Sequence, residues 1–283
     1  MDTLLGRDTK IPAQYSPHVL HKVSRSSSRK AFLENSEAAR IIFEMNGFDL
    51  WRCYELIWVD KDHIPEACVL EFRYDAQSEF ILESKSLKIY LSSLRRRTFE
   101  DKQELIETIS YDIGSLLKTE IAIRVFEVDN CTQLTRCHGI CLDEKKKKNK
   151  DYILSELPEK IFYRRCDYIM RSDTNVNVEE ILYTNTFQSK CPITEQPDLA
   201  TVTVHYTGVE LDKEAFAIYL NSFADQINFH ESCIEQIFVD ISTKYTSALL
   251  VYGNYTRRGG IEINPYRANY LINDACVNRR ARQ

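Results

Sequence analysis

Residues 89–109, IYLSSLRRRTFEDKQELIETI, return in altered form at residues 218–237, IYLNSFADQINFHESCIEQI. The run Ile-Tyr-Leu-x-Ser is common to both, and Phe99 then falls opposite Phe229. The flanks repeat too. Phe72-Arg73-Tyr74 parallels Val204-His205-Tyr206 upstream, and Glu120 to Val128 parallels Thr246 to Tyr255 downstream. These flanking stretches alternate or run apolar with β-branched residues, as strands do. Each unit therefore reads strand, strand, helix, helix, strand, with room for a final strand. A repeat longer than a short solenoid unit means two duplicated modules.

Helix starts fit this reading. Thr98 or Asp101 can cap a helix running to about Leu117, and Asp212 precedes one running to about Phe223. The polar stretch Leu142 to Lys150, with its lysine run Lys145 to Lys148, has no apolar period and serves as a linker. The expected organisation is a tail over residues 1–45, a first module over 46–150 and a second over 151–283. In the tail, Ser24 to Arg29 is the most loop-like part, and the tail is expected to wrap a module. Strand-rich modules with a helix pair on one face make the class α+β.

The 283 residues carry a formal net charge of −5, which argues against a nucleic-acid partner. No run approaches a bilayer span and no signal-type apolar segment opens the chain, so the expected location is the cytoplasm. Nine scattered cysteines without a CxxC pair then read as reduced thiols. Cys131, Cys137, His138 and Cys141 lie close in sequence, but their spacing matches no common zinc knuckle, and no metal is expected.

Four segments could carry chemistry. In Lys190-Cys191-Pro192-Ile193-Thr194-Glu195-Gln196-Pro197-Asp198, two prolines impose a loop, where Cys191 is more accessible than a core thiol, though a lone loop cysteine is more often a spectator than a nucleophile, and Asp198 is the nearest acid. His230-Glu231 opens a helix, where the plain reading is a cap and the functional one a ligand-binding pair. In Phe80 to Tyr90, Leu82 is apolar and Glu83 reads by local rules as a solvated first-turn residue, followed by Ser84, Lys85 and Ser86. In Asn254 to Ile261, Arg257 and Arg258 precede Gly259 and Gly260, which suits either an exposed hairpin turn or a phosphate site. The first module lacks the His-Glu pair and the second lacks the Glu-Ser-Lys-Ser run, so a site shared between modules would unite them. There is no GxGxxG after a strand, so a nicotinamide cofactor would need another scaffold.

Taken together, FILESKSLKIYLSSL at 80–94, KCPITEQPD at 190–198, NFHESCIEQI at 228–237 and YTRRGGIEINPYR at 255–267 resemble the NADPH-dependent cyano-deazaguanine reductases of queuosine biosynthesis, the QueF type, in its longer two-module branch. That resemblance implies a tandem tunnelling fold and a homodimer. It implies reduction of the nitrile of 7-cyano-7-deazaguanine to an aminomethyl group, with NADPH as cofactor and no metal. It assigns Cys191 as the nucleophile forming a thioimidate, Asp198 as the acid and His230 as a group beside the reacting centre. Leu82, Glu83, Ser84, His230 and Glu231 become substrate contacts, and Ser84, Lys85, Ser86, Arg257, Arg258 and Gly259 cofactor contacts. The chain departs from the family pattern at Ile57, usually serine, and at Glu195, usually glycine. The residue types suit the reaction: a nitrile carbon needs a soft nucleophile and an acid at nitrogen. A zinc-dependent cyclohydrolase would need a histidine spacing that the six scattered histidines do not supply.

Overall fold

The computed structural model describes residues 11–131, 133–143, 167, 169–243, 246–273 and 277–283. The lysine run Lys145 to Lys148, most of the linker and the expected module boundary at 150/151 lie outside the described residues, as do residues 1–10 of the tail.

The expected tail contains regular structure: strand β1 (Lys22–Ser24), the single helical turns α1 (Arg25–Ser28) and α2 (Lys30–Leu33), and the amphipathic helix α3 (Ser36–Glu44) capped by Asn35. The first module follows as β2 (Asn46–Asp60), β3 (Pro65–Asp75), β4 (Phe80–Leu82), α4 (Ser84–Leu94), β5 (Thr98–Phe99), α5 (Lys102–Leu117) and β6 (Ala122–Glu127). After β7 (Ile140–Cys141), the second module runs β8 (Asn177–Lys190), β9 (Pro197–Val209), α6 (Lys213–Asn221), α7 (His230–Ser242), β10 (Thr246–Tyr255) and β11 (Ile261–Ala268).

Both copies thus carry the strand, strand, helix, helix, strand order. The repeated residues do the same work in each. The Tyr90 phenol donates to Asp112 on α5 at 2.6 Å, and Tyr219 donates to Asp240 on α7 at 2.8 Å. Ser93 and Ser222 each donate to the carbonyl of the tyrosine three residues earlier. The phenol oxygens of Tyr74 and Tyr206 accept from the backbone N–H groups of Leu82 and Leu211. Even the caps correspond: Glu83 accepts from the first N–H groups of α4, as Asp212 does from those of α6. Asp101 caps α5, while Thr98 belongs to β5.

The sheet is continuous through both modules, in the order β6-β3-β2-β11-β10-β9-β8-β7. Its long pairings are antiparallel, and β2 of the first module meets β11 of the second through eight registered pairs from Ile261↔Cys53 to Ala268↔Asn46. Among the described strands the short β5 and β7 pair in parallel, with β2 and β8. Alternation along the strands sorts side chains to two faces. Trp51, Cys53, Leu70 and Phe72 turn towards α4 and α5. Val202, Val204, Leu249 and Val251 turn towards α6 and α7, where α3 adds Ile41 and Ile42. On the other face Phe48, Leu50, Leu250, Tyr252 and Tyr266 form a separate cluster, which Ile272 and Val277 of the C-terminal segment join.

The loop-like stretch Ser24 to Arg29 is the largest departure from expectation. Arg25 is 1 % exposed and Arg29 8 %. Arg25 pairs with Asp49 at 2.7 Å and with Glu235 at 3.5 Å, and Arg29 pairs with Glu235 at 2.8 Å. Arg267 of β11 completes the cluster, at 2.7 Å from Asp49 and 2.9 Å from Glu235. Burial would raise the Glu235 carboxyl, but Arg267, Arg29 and Arg25 hold it down at about 2. This cluster ties the N-terminal segment to both modules. Among the described residues no helix is long and apolar enough to cross a membrane, and no group of three or more His, Cys, Asp and Glu side chains is arranged to hold a metal.

Candidate active site

Cys191 sits just beyond the end of β8, and the loop that bears it is pinned from both sides. Its N–H donates to Gln196 O at 2.9 Å, closing the loop on itself. Lys190 N–H donates to Gln226 O, and Asn228 N–H donates to Lys190 O, so the loop is held against the segment leading into α7. The turn requires a left-handed residue, and Glu195 takes that conformation at φ 53°. Glycine adopts it without a Cβ penalty, which gives the family's usual residue there a physical reason.

The N-terminus of α7 supplies the next two groups. Phe229 occupies the cap position and its side chain makes no capping bond, while His230 and Glu231 are the first two residues of the helix. The His230 ring stacks on Tyr255 at 3.8 Å between centroids and 9° between planes. Its Nε2 lies 3.3 Å from Asp198 Oδ2, while its Nδ1 is buried with no hydrogen-bond partner. Glu231 is 2 % exposed, and its Oε1 likewise has no partner. Burial, with Asp49 beside it, pushes the Glu231 carboxyl up to about 7.

Asp198 opens β9 and is 4 % exposed. Burial alone would raise its carboxyl. His230 and Arg258, the latter at 2.5 Å, outweigh that and hold it below the usual carboxylate range. Arg258 lies at the turn between β10 and β11, where Gly259 and Gly260 both have positive φ, 58° and 78°. That pattern is the mirror-image two-residue hairpin, which glycine favours. A side chain at Gly260 would strike Glu55 at 2.6 Å.

From the first module come Leu82, Glu83, Ser84 and Lys85. Glu83 is 2 % exposed, not solvated, because the N-terminal segment covers it and its N–H donates to His21 O. Its two carboxylate oxygens accept from Lys85 and Ser86 N–H at 3.0 and 2.7 Å.

These pieces line a cavity of about 250 Å³. Leu82, Glu83, Ser84, Lys85, Cys191, Asp198, His230, Glu231, Arg258 and Gly259 all border it. Two expected residues do not. Ser86 is buried, donating to Glu83 O and accepting from His21 N–H. Arg257 turns to the C-terminal segment, donating to Gln283 O at 2.6 Å with its guanidinium 4.2 Å from the Tyr54 ring centre. Lys88 also borders the cavity and was missed; its position one turn after Lys85 on α4 was the available signal. Tyr255, quoted in the fourth motif without a role, is the platform for His230.

The Cys191 thiol lines the cavity together with the Asp198 carboxylate and the His230 imidazole, the last two 3.3 Å apart. A buried carboxylate with an open oxygen lies beside them, matched to paired N–H donors. Lys85, Lys88 and Arg258 border the same cavity beside the Gly259 turn, cations of the kind that suit phosphate, with Lys88 also 2.9 Å from Glu55 and Arg258 2.5 Å from Asp198.

Comparison with known proteins finds a family model on each half of the chain. Residues 11–125 match the family model described as nitrile reductase, 7-cyano-7-deazaguanine-reductase N-term, and residues 197–274 match that of the QueF-like proteins. The NADPH-dependent 7-cyano-7-deazaguanine reductase of Acinetobacter baylyi is 34% identical over 272 residues, covering 95% of this chain and 94% of that protein. The protein of the same name from Teredinibacter turnerae is 34% identical, covering 94% and 91%. That from Buchnera aphidicola subsp. Schizaphis graminum is also 34% identical, covering 88% and 91%. With relatives this similar along almost its whole length and a site drawn from both halves, the chain belongs to the 7-cyano-7-deazaguanine reductase family of nitrile reductases.

Proposed function

We propose that the protein reduces the nitrile of 7-cyano-7-deazaguanine to the aminomethyl group, a four-electron change driven by NADPH, as a step of queuosine biosynthesis in tRNA modification. The observation that carries this reading is the convergence of Cys191, Asp198, His230 and Glu231 on one cavity with Lys85 and Arg258. The names of the relatives support the substrate and the cofactor.

The Cys191 sulfur attacks the nitrile carbon. The thiol proton passes to the Asp198 carboxylate, the new C–S bond forms as one C≡N π bond opens, and Asp198 delivers the proton to nitrogen, leaving a neutral thioimidate on Cys191. His230, stacked on Tyr255 and facing Asp198, keeps the acid oriented. Glu231 accepts the paired N–H donors of the guanine-like edge through its open oxygen. Glu83 borders the ring site while capping α4, since each carboxylate oxygen has a second lone pair. Lys85, Lys88, Arg258 and the backbone at Gly259 fit the dinucleotide phosphates. NADPH, when bound, supplies hydride, and two equivalents account for the four electrons. The enclosed wall keeps water from the imine-level intermediate.

The continuous antiparallel sheet with helices on one face is compatible with the tunnelling fold. We extend the reading to a homodimer that closes the tunnel, which sedimentation of the purified protein tests. A cytoplasmic setting is in keeping with the free thiols of all seven described cysteines, and fractionation of cells tests it.

The functional experiment follows NADPH oxidation by ultraviolet absorbance with 7-cyano-7-deazaguanine as substrate. Two NADPH consumed per substrate, with loss of activity in folded Cys191→Ala, is the expected result. No oxidation by folded wild type overturns the proposal.

A further inference from the structure

Arg258 faces two demands. Its Nη1 donates to Asp198 Oδ1 at 2.5 Å and its Nη2 donates to Gln196 Oε1, so its guanidinium is committed to the acid side of the cavity. Yet its side chain is 39% exposed beside a 4% exposed partner, and it borders the same opening as Lys85, Lys88 and Gly259. A proton donor cannot act while its carboxylate is held ionised by a guanidinium, and a phosphate drawing on the same Nη1 and Nη2 fork must compete with Asp198 and Gln196 for it. One placement of Arg258 does not meet both demands.

The other groups around Asp198 do not remove the conflict. From α7, His230 touches Oδ2, while Glu231 and Cys233 lie further along the helix. From β10, the Tyr255 phenol is buried, and burial keeps it protonated well above its usual range. Cys191 shares the loop of Asp198. Among these described groups Arg258 is the permanent cation, and it is the one on a solvent-facing turn.

We propose that Arg258 is a shared counter-ion: it pairs with Asp198 when the cofactor site is empty and with a phosphate of the dinucleotide when that site is filled, so that cofactor binding and protonation of Asp198 are linked. This rests on the reading of Lys85, Lys88 and Arg258 as part of the NADPH site. When Arg258 changes partners, the Asp198 carboxylate is left buried with His230 alone, and its proton affinity rises. Reciprocity then requires that anything removing the Asp198 charge should tighten cofactor binding. The acid is thereby readied when the reductant is in place.

The test is calorimetric titration of the full-length protein with NADP⁺, which binds without reacting. Asp198→Asn frees Arg258 and is expected to tighten binding roughly fivefold, the scale of a partly exposed ion pair. That gain must vanish in the Arg258→Gln background, because no shared guanidinium remains to be released. Wild type should also take up protons on binding, seen as a dependence of the heat on buffer ionisation, and Asp198→Asn should not. Gln196→Ala, which loosens the same guanidinium without touching the acid, should tighten binding by a smaller factor and serves if Asp198→Asn is unstable. Unchanged affinity in Asp198→Asn, or a gain that persists without Arg258, overturns the shared counter-ion. Failure of wild type to bind NADP⁺ at all removes the cofactor reading on which it stands.

Discussion

Glu231 shows what a buried carboxylate costs its own protein. Its folded pKa of about 7 exceeds its ordinary value of 4.5, so the native state holds a proton there that the unfolded chain has released. The native form therefore loses stability as pH rises from 4.5 to about 7, and above that the penalty is constant. Glu231→Gln removes an ionisation worth about 3 kcal/mol at pH 8. The expected outcome is a higher unfolding midpoint in urea at pH 8, little change at pH 5, and loss of substrate binding at both. The position was legible in the sequence as part of the His-Glu pair. Its unpaired oxygen was not, because that depends on which neighbours α7 meets. Cys191 and Asp198 were legible for a different reason: two prolines in nine residues force a loop on any fold. Arg257 was misplaced because its partner, Gln283, lies in a segment with no periodicity to read.

At the level of elements, the duplication was readable because the repeated tyrosine and serine are structural. Tyr219 is fully buried and bridges α6 to α7 through Asp240, as Tyr90 bridges α4 to α5 through Asp112. Tyr219→Phe leaves Asp240 short of a donor and is expected to cost about 1–2 kcal/mol, read as a lower Tm. Substrate KM should stay near wild type, since the pair is remote from the cavity lining. The caps divide more sharply. Asp212 was expected from its place before an apolar run, whereas Glu83 read as solvated, because the cover that buries it arrives from His21, sixty residues earlier in the chain by roughly that count.

For the whole molecule, the N-terminal segment fastens the two modules together. Arg29 donates to both oxygens of Glu235 at 2.9 and 2.8 Å, in a cluster where every charge is paired. Arg29→Ala removes the donor to Glu235 Oε2, leaving that buried carboxylate oxygen short of a partner, and is expected to destabilise by about 3 kcal/mol in urea unfolding. The depressed Glu235 carboxyl contributes stability above its ordinary value of 4.5 that is lost as pH falls towards 2, and the variant should lose less over that window. Sequence reasoning passed over these arginines because a short Ser-Arg run has no local reason to be buried. The pattern of partners that buries them is spread over β2, α7 and β11.

The continuous sheet joins two copies of one design, but of their first hairpins only the second module's carries a cysteine in its connection. The corresponding connection in the first module, Lys61 to Ile64 between β2 and β3, contains no cysteine. On the proposed reading the chain of doubled length works at a single centre among its described residues, so one equivalent per polypeptide of a suicide reagent directed at Cys191 is expected to abolish turnover, with Cys191→Ala unlabelled as the control.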